Sequence, residues 1–403
     1  MKIEIKPSQP KGILTAPASK SMAHRLLICA GLSEGESVIE NVAYSQDILA
    51  TLDCLEALGA KVVRNDTSVT VRGVNPINSA GSTYHCRESG STLRFFIPLA
   101  MLSKEKSLFV GSERLMERPL ELYEKLAMEN GLFYSKNAEG ITISGDLSGG
   151  DFSLRGDISS QFVTGLLFAL PFCENDSTIT LTGKAESLSY IDMTIEAQRK
   201  FGVEIVKGEN NTFFIKGSQK YLAQNLTVEG DFSNGAFLDA FNYLGSEIEV
   251  EGLYADSLQG DKVYKEYFER LIDGYAELDV SDCPDLAPIL MTLACALNGA
   301  ELTGTRRLKI KESDRGEVMK QELSKFGAEI IVKENEINIS KRSLHTPIAE
   351  LYGHNDHRVV MSLSVLASRY GGVIEGAEAV NKSFPDFFEK LKKSGLEVIE
   401  NGN

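Results

Sequence analysis

The pattern of apolar and polar positions predicts the same helix–strand unit six times along the chain. Each copy is an amphipathic helix that ends at a glycine and leads directly into a short strand. Glycine is the expected residue just past a helix end, because that position takes a positive φ. The helices and their strands are predicted at 48–59 and 60–63, 120–131 and 132–134, 191–202 and 203–205, 263–274 and 275–278, 318–327 and 328–331, and 387–395 and 396–399.

A second and more apolar helix alternates with the first. Each copy starts with Ser, Asp, Asn or Glu, continues with small and apolar residues that include few charges, and turns into a strand. Helices that are apolar all round are expected to be buried, so the glycine-terminated helices should lie outside them. The starts of these central helices lie at 19–21, 88–90, 159–161, 231–233, 282–285 and 355–357.

The spacing of the repeats predicts an α/β protein of two domains. The terminating glycines are separated by 72, 71, 72, 53 and 68 residues, so three units would form each pseudo-threefold domain. We predict that domain II is 19–230 and that domain I is 1–18 with 231–403, the N-terminal strand 1–5 included. No G-x-G-x-x-G follows a strand, which argues against a Rossmann fold. Parallel central helices would bring their N-termini to one face of each domain, and two facing sets would form a cleft that attracts anions.

Composition narrows the class of protein. The 403 residues are 42% hydrophobic and 25% charged, as in soluble proteins, and the net charge of −15 argues against nucleic acid or an anionic membrane as a partner. No signal peptide and no apolar run of about 18 residues is recognised, so the protein is expected to be cytoplasmic. The six cysteines and five histidines show no metal-ligand spacing. We therefore expect reduced core cysteines, no metal and no cofactor.

Cations nevertheless cluster at the predicted junctions of loops and helices. Each alone could be a solvated surface charge, but eight together indicate an anion-binding site. Ser21 and Arg25 are spaced i,i+4 and lie on one helical face. Asp285 is either the N-cap of an apolar helix or a base, and Asp314 with Glu317 resembles a capping box. The eight cations are Lys20, Arg25, Arg94, Arg118, Lys311, Arg315, Arg358 and Lys382.

Nine motifs occur in the order found in one family of enolpyruvyl transferases. They lie at 17–25, 89–94, 117–119, 159–162, 190–192, 284–285, 311–315, 355–358 and 384–386. Through them nearly the whole chain closely resembles the 5-enolpyruvylshikimate-3-phosphate (EPSP) synthase family. The resemblance implies an inverse α/β barrel fold of two domains, each with three βαβαββ units and buried central helices. It also implies an active site in the cleft between the domains.

The resemblance implies a reaction between two small anionic substrates. The enolpyruvyl group of phosphoenolpyruvate would pass to the 5-hydroxyl of shikimate 3-phosphate through a tetrahedral intermediate, with release of phosphate, in the shikimate pathway to chorismate and aromatic amino acids. No cofactor or metal is implied, glyphosate should compete near Gly90, and a monomer is expected. Asp285 would be the base, and Glu312, with Lys20, the acid.

The resemblance also implies the residues that bind the substrates. Those for shikimate 3-phosphate are Lys20, Ser21, Arg25, Ser159, Ser160, Gln161, Ser187, Asp285, Arg307 and Lys311. Those for phosphoenolpyruvate are Lys20, Gly90, Arg118, Gln161, Arg315, Arg358 and Lys382.

Three positions depart from the family's common form. Glu88 stands where Asn is frequent, and Phe95 stands where Pro is frequent. Arg307 lies near a frequent Asn, which it could replace as a phosphate ligand.

Two alternative functions remain. The sister enzyme that acts on UDP-N-acetylglucosamine has Lys-Asn where this chain has Lys20-Ser21, and a loop cysteine as acid. A non-catalytic, ring-like repeat scaffold around nucleic acid would fit the repeats but not the net charge of −15.

Overall fold

The computed structural model describes residues 1–157 and 159–401. The chain divides into two compact units: the inserted unit, Ala18–Glu229, and the split unit, Met1–Pro17 with Gly230–Asn403. Each unit has its own hydrophobic core, built from its own helices and sheets.

Both units contain helices and strands along their whole length. The helices are α1 Lys20–Leu32, α2 Gln46–Leu58, α3 Gly90–Ala100, α4 Glu113–Met116, α5 Glu121–Glu129, α6 Ser160–Ala169, α7 Leu188–Lys200, α8 Phe232–Ala240, α9 Tyr264–Asp273, α10 Ala287–Ala296, α11 Arg315–Ser324, α12 His357–Tyr370 and α13 Phe387–Lys393. The strands are β1 Lys2–Ile5, β2 Lys11–Thr15, β3 Ser33–Glu34, β4 Glu36–Glu40, β5 Lys61–Arg64, β6 Ser68–Arg72, β7 Thr83–His85, β8 Ser107–Val110, β9 Phe133–Asn137, β10 Gly140–Ser144, β11 Gly150–Arg155, β12 Ser177–Thr182, β13 Ile205–Lys207, β14 Thr212–Ile215, β15 Tyr221–Leu222, β16 Leu226–Thr227, β17 Glu247–Glu251, β18 Ala276–Asp279, β19 Ala300–Thr303, β20 Glu329–Val332, β21 Glu336–Ser340, β22 Leu351–Tyr352, β23 Gly372–Glu375 and β24 Val398–Asn401.

One sheet pattern recurs in both units. Within the described residues, the four-stranded sheets are β16-β4-β6-β5, β7-β8-β10-β9 and β11-β12-β14-β13 in the inserted unit, and β18-β19-β21-β20 and β22-β23-β1-β24 in the split unit. In each, the first two strands are parallel and the remaining pairs antiparallel. The second strand follows a central helix and the fourth follows a glycine-terminated helix, as the predicted repeat requires.

The repeat that contains α9 is shorter and corrects part of the prediction. Within the part of the chain that the structure describes, β17 pairs only with β2, and after α9 the chain enters β18, the first strand of the next sheet, without forming a hairpin. Gly274 accordingly has an extended φ of 160°, whereas the other five terminating glycines are left-handed. The left-handed conformation expected just past each helix end is therefore not adopted at Gly274. After Gly274 the chain leads directly into β18, and the absence of a hairpin between α9 and α10 accounts for the shorter spacing of 53 residues.

The N-terminal strand completes the last sheet. β1 lies between β23 and β24 and is antiparallel to both, with Ile3 opposite Ile374 and Glu400. Ile3 and Ile5 are buried in the core of the split unit. Within the described residues, β1 takes the third position of this sheet, which in the other four-stranded sheets is filled by the strand that follows the fourth.

The central helices are buried, as predicted, and most are capped by the predicted side chains. Every residue from 287 to 295 in α10 and from 357 to 368 in α12 is buried. The capping side chains of the other central helices are Ser19, Ser89, Ser159, Asp231 and Asp356. α10 differs because a 3₁₀ turn, Pro284–Leu286, precedes it and no side chain caps it, so Asp285 is not its N-cap.

The six cysteines are all buried thiols, as predicted. Across residues 1–157 and 159–401, no helix is long and apolar enough to cross a membrane. The same residues contain no group of three or more His, Cys, Asp or Glu side chains placed to hold a metal ion.

Candidate active site

In the inserted unit, α1 begins with a paired lysine. Ser19 accepts a hydrogen bond from the Met22 N–H at 3.3 Å, and Lys20 Nζ lies 2.7 Å from Asp47 Oδ2, with both side chains largely buried. Asp47 was not recognised in the sequence, because an acidic residue in the first turn of a helix is usual on account of the helix dipole. An anion that binds Lys20 would compete with this carboxylate.

Arg25 is a buried cation with neutral partners. Its Nε donates to Thr194 Oγ1 at 2.9 Å, and its terminal nitrogens donate to the Ser21 carbonyl at 2.7 Å and the Tyr190 carbonyl at 2.8 Å. Desolvation lowers the pKa of Arg25 to about 10, so the guanidinium remains charged at neutral pH. No carboxylate pairs with it within the described residues. A buried and uncompensated cation is costly, and a bound anion would relieve that cost.

The start of α3 lies against two arginines. A Cβ added at Gly90 would lie 2.5 Å from one terminal nitrogen of Arg118 and 3.2 Å from one of Arg94. Arg94 donates to Gln161 Oε1 at 2.7 Å, and Gln161 Nε2 donates to Ser91 Oγ at 2.8 Å. The buried Arg118 Nε has no hydrogen-bond partner among the residues that the structure describes. Gly90, Arg118 and Gln161, predicted from separate motifs, thus lie together.

The predicted serines of the inserted unit lie at helix starts. Ser159 accepts from the Gln161 N–H at 3.3 Å, and Ser160 is buried as the first residue of α6. Ser187 precedes α7 with a left-handed φ of 55° and is buried. Non-glycine residues in this conformation are uncommon and often mark functional sites.

In the split unit, Asp285 is surrounded by cations. Its Oδ1 accepts from an Arg315 terminal nitrogen at 2.7 Å and lies 3.4 Å from Lys311 Nζ, while its Oδ2 accepts from Arg358 at 2.9 Å. The side chain is 17% exposed. A carboxylate that three cations contact can act as a base only when some of them engage other anions.

Arg315 connects this carboxylate to two others. Its Nε donates to Asp356 Oδ2 at 2.9 Å and a terminal nitrogen donates to Glu312 Oε2 at 2.8 Å, in addition to the bond to Asp285. Burial would lower the pKa of Arg315, but the three carboxylates raise it well above its ordinary value. Asp356 is fully buried and also accepts from Ser313 Oγ at 3.0 Å. In the sequence it stood out only as part of the predicted start of a central helix.

The remaining predicted cations differ in their surroundings. Arg358 is buried and donates to Ser233 Oγ as well as to Asp285. Burial lowers the pKa of Lys311, against the opposing effect of Asp285. Lys382 donates to the Asn355 carbonyl at 2.7 Å, and Arg307 donates to the Ser281 carbonyl at 2.5 Å.

Only half of the predicted capping box forms at the start of α11. Asp314 accepts from the Glu317 N–H at 3.3 Å. The Glu317 carboxylate pairs with Lys320 at 3.1 Å instead of returning to the cap, because the lysine one turn on offers a charge.

Comparisons with known proteins agree on one family. A model of EPSP synthase (3-phosphoshikimate 1-carboxyvinyltransferase) matches residues 5–391. A Clostridium kluyveri protein named 3-phosphoshikimate 1-carboxyvinyltransferase is 41% identical and aligns over 99% of this chain and 98% of its own length. A Clostridium perfringens protein of the same name is 39% identical, with 98% of each chain aligned. A solved structure of EPSP synthase from Acinetobacter baumannii superposes with a TM-score of 0.81 at 24% identity, over 99% of this chain and 100% of that one. The fold is therefore the two-domain inverse α/β barrel.

Proposed function

The chain belongs to the EPSP synthase family, and from this premise we propose how its residues carry out the family's reaction. The enzyme transfers the enolpyruvyl group of phosphoenolpyruvate to shikimate 3-phosphate in the shikimate pathway. Both substrates carry a phosphate and a carboxylate, so binding requires several cations in a chain of net charge −15.

We propose that shikimate 3-phosphate binds through the start of α1 and the serines of the inserted unit. Arg25, which has no carboxylate partner within the described residues, is the strongest anion ligand in this set. The proposed ligands are Lys20, Ser21, Arg25, Ser159, Ser160, Gln161 and Ser187, with Asp285, Arg307 and Lys311 from the split unit.

We propose that phosphoenolpyruvate binds through Gly90, Arg118 and Gln161, with Lys20, Arg315, Arg358 and Lys382. Arg118 supports this assignment because its buried Nε has no partner among the described residues and its guanidinium lies against the bare backbone of Gly90. Arg315 is enclosed by carboxylates, so its main effect is on the charge of Asp285 and Glu312.

The observation that carries the proposed mechanism is the set of cations around Asp285. Arg358 and Lys311 are assigned to phosphoenolpyruvate and shikimate 3-phosphate respectively, and both lie on the Asp285 carboxylate. Substrate anions would draw these two cations away from it. Asp285 would then become a stronger base only when both substrates are bound.

The reaction that follows is an addition and an elimination. Asp285 takes the 5-hydroxyl proton while that oxygen bonds to C2 of phosphoenolpyruvate, and Glu312, with Lys20, protonates C3. The tetrahedral adduct then loses phosphate from C2 and a proton from C3, which restores the double bond. The arginines and lysines stabilise the charge that develops on phosphate as it leaves. We further propose that the enzyme is a cytoplasmic monomer.

The test of this mechanism is Asp285→Asn. Phosphate release should fall by about 10²-fold or more, because the general base is lost, while shikimate 3-phosphate binding measured by calorimetry should persist. Asp273→Asn, at the exposed end of α9, is the matched control and should keep full turnover. Near-normal turnover of Asp285→Asn would refute its role, whereas a native chain that releases no phosphate would refute the function.

A further inference from the structure

The turn that leads into α12 has an unfavourable backbone conformation. The Asp356 N–H donates to the Gly353 carbonyl at 2.9 Å, and the two residues between them, His354 and Asn355, have φ of 49° and 54°. Two successive left-handed residues are typical of a type I′ turn, which Gly, Asn and Asp fill most readily. Histidine, like any residue with a Cβ, adopts this conformation at a steric cost, which contacts from outside the turn can offset.

A buried carboxylate of α11 makes those contacts. Glu322 is fully buried; its Oε1 lies 3.0 Å from His354 Nε2, and its Oε2 accepts from the Tyr352 N–H at 2.9 Å and from Lys325 Nζ at 2.7 Å. His354 must donate from Nε2, because a carboxylate only accepts. Lys325 also donates to the Glu350 carbonyl at 2.9 Å. One carboxylate thus fixes the approach to the turn by several bonds.

The same helix fixes the other end of the turn. Residues 315 and 322 are seven apart and lie on one helical face. Arg315 binds Asp356 at the end of the turn, and Glu322 binds Tyr352 and His354 at its beginning. α11 therefore holds the segment at both ends.

The turn at His354 and Asn355 is bonded to two cations of the proposed phosphoenolpyruvate site. The Asn355 carbonyl accepts from Lys382 at 2.7 Å, and Asp356 accepts from the Arg358 N–H at 3.0 Å. Arg358 reaches Asp285 from the first turn of α12. A change in the turn would therefore move both cations.

We propose that Glu322 is a positioning residue for phosphoenolpyruvate binding: its buried carboxylate holds the left-handed turn at His354 and Asn355 and so places Arg358 and Lys382. The inference rests on the proposed function, which assigns these two cations to phosphoenolpyruvate. Glu322 acts through Tyr352 and His354, and it does not itself touch the substrate. Loss of its charge weakens the bonds to Lys325 and His354 and lets the turn relax.

The first test compares Glu322→Gln with Glu317→Gln. Both lie on α11 and both pair with a lysine three residues on, but the Glu317 pair is exposed. Glu322→Gln should raise the KM for phosphoenolpyruvate about tenfold and change the KM for shikimate 3-phosphate less than twofold, whereas Glu317→Gln should change neither. An unchanged KM for phosphoenolpyruvate, or equal losses for both substrates, would overturn the inference. A native chain inactive with both substrates would instead overturn the proposed function.

The second test separates the turn's conformation from the imidazole and does not depend on the folding of a Glu322 variant. His354→Ala and His354→Gly both remove the bond to Glu322, but only glycine adopts a left-handed φ without steric cost. The KM for phosphoenolpyruvate should rise about fivefold or more in His354→Ala and stay within twofold of native in His354→Gly. Equal effects of the two substitutions, or no effect of alanine, would overturn the inference.

Discussion

At the scale of single residues, the sequence singled out candidate site residues but not the side chains that surround them. Asp285 remained either a helix cap or a base, and its cations come from positions 26 to 73 residues further along the chain, which no local pattern reveals. Asp47 and Asp356 were missed because carboxylates at helix starts already serve the helix. Ser187 carries no sequence signal for a left-handed φ, since serine is not typical of that conformation.

The buried imidazole of His24 should make stability depend on pH. Burial, reinforced by Lys20 and Arg25, lowers its pKa well below the ordinary value, and Nδ1 contacts Thr51 Oγ1 at 2.7 Å. Below about pH 6.5 the unfolded chain takes up a proton that the folded chain cannot, so stability falls as pH falls. Between pH 7.5 and 5.5 the free energy of unfolding of the native chain, measured in urea, should fall by about 1 kcal/mol more than that of His24→Asn. The control variant His85→Asn changes an exposed histidine and should keep the pH dependence of stability seen in the native chain. If His24→Asn keeps that dependence too, burial does not lower the pKa of His24.

Gly90 should discriminate between substrate and inhibitor. A methyl at Gly90 would press on Arg118, the far end of a flexible side chain, so the fold should tolerate it while the anion pocket changes shape. We expect glyphosate to inhibit the native enzyme in competition with phosphoenolpyruvate. Gly90→Ala should weaken that inhibition by about tenfold, within the range for overpacking, and raise the KM for phosphoenolpyruvate less. Steady-state inhibition with phosphoenolpyruvate varied measures both; a resistant native enzyme would refute the expectation.

At the scale of elements, periodicity predicted the helices well and their connections less well. The glycine-terminated helices and the buried central helices occur where the two patterns placed them, with ends shifted by a few residues. The pattern could not show that 275–278 starts a new sheet, because a strand after a helix–glycine unit reads the same whether or not a hairpin follows. Only the short spacing of 53 residues hinted at the missing hairpin.

The different backbone conformations of Gly274 and Gly59 predict opposite effects of alanine substitution on the free energy of unfolding. Gly274 has an extended φ and a Cβ there meets nothing within 4 Å, so Gly274→Ala should stabilise by about 0.4–1 kcal/mol through the entropy of the unfolded chain. Gly59 has a φ of 112° with space for a methyl, so Gly59→Ala should cost about 1–2 kcal/mol from backbone strain alone. Urea unfolding of both variants provides the measurement, and changes of the same sign would contradict the assignment.

At the scale of the whole molecule, the repeat and the motifs together predicted the fold class, which the structural comparison confirms. Periodicity alone gave the α/β units, but the inverse barrel came from the family resemblance, since helix and strand patterns do not specify which sheets close around which helices. The completion of the last sheet by β1 joins residues nearly 400 positions apart, with Lys2 opposite Asn401. Pairing at such separation depends on tertiary packing, which a local pattern does not encode.

This topology predicts that the two units differ as isolated fragments. The inserted unit forms its sheets and core from 18–229 alone, so that fragment should unfold cooperatively in urea, as followed by circular dichroism. The fragment 230–403 lacks β1 and β2, so β24 and β17 lose the strands they pair with in the described sheets and β23 keeps only β22. It also loses Ile3 and Ile5 from its core, at about 1.5–3 kcal/mol for each buried side chain. It should therefore lack a cooperative transition until residues 1–17 are joined to it. Cooperative unfolding of 230–403 alone would show that β1 and β2 are dispensable, and neither fragment should release phosphate, because Arg25 and Asp285 lie on different fragments.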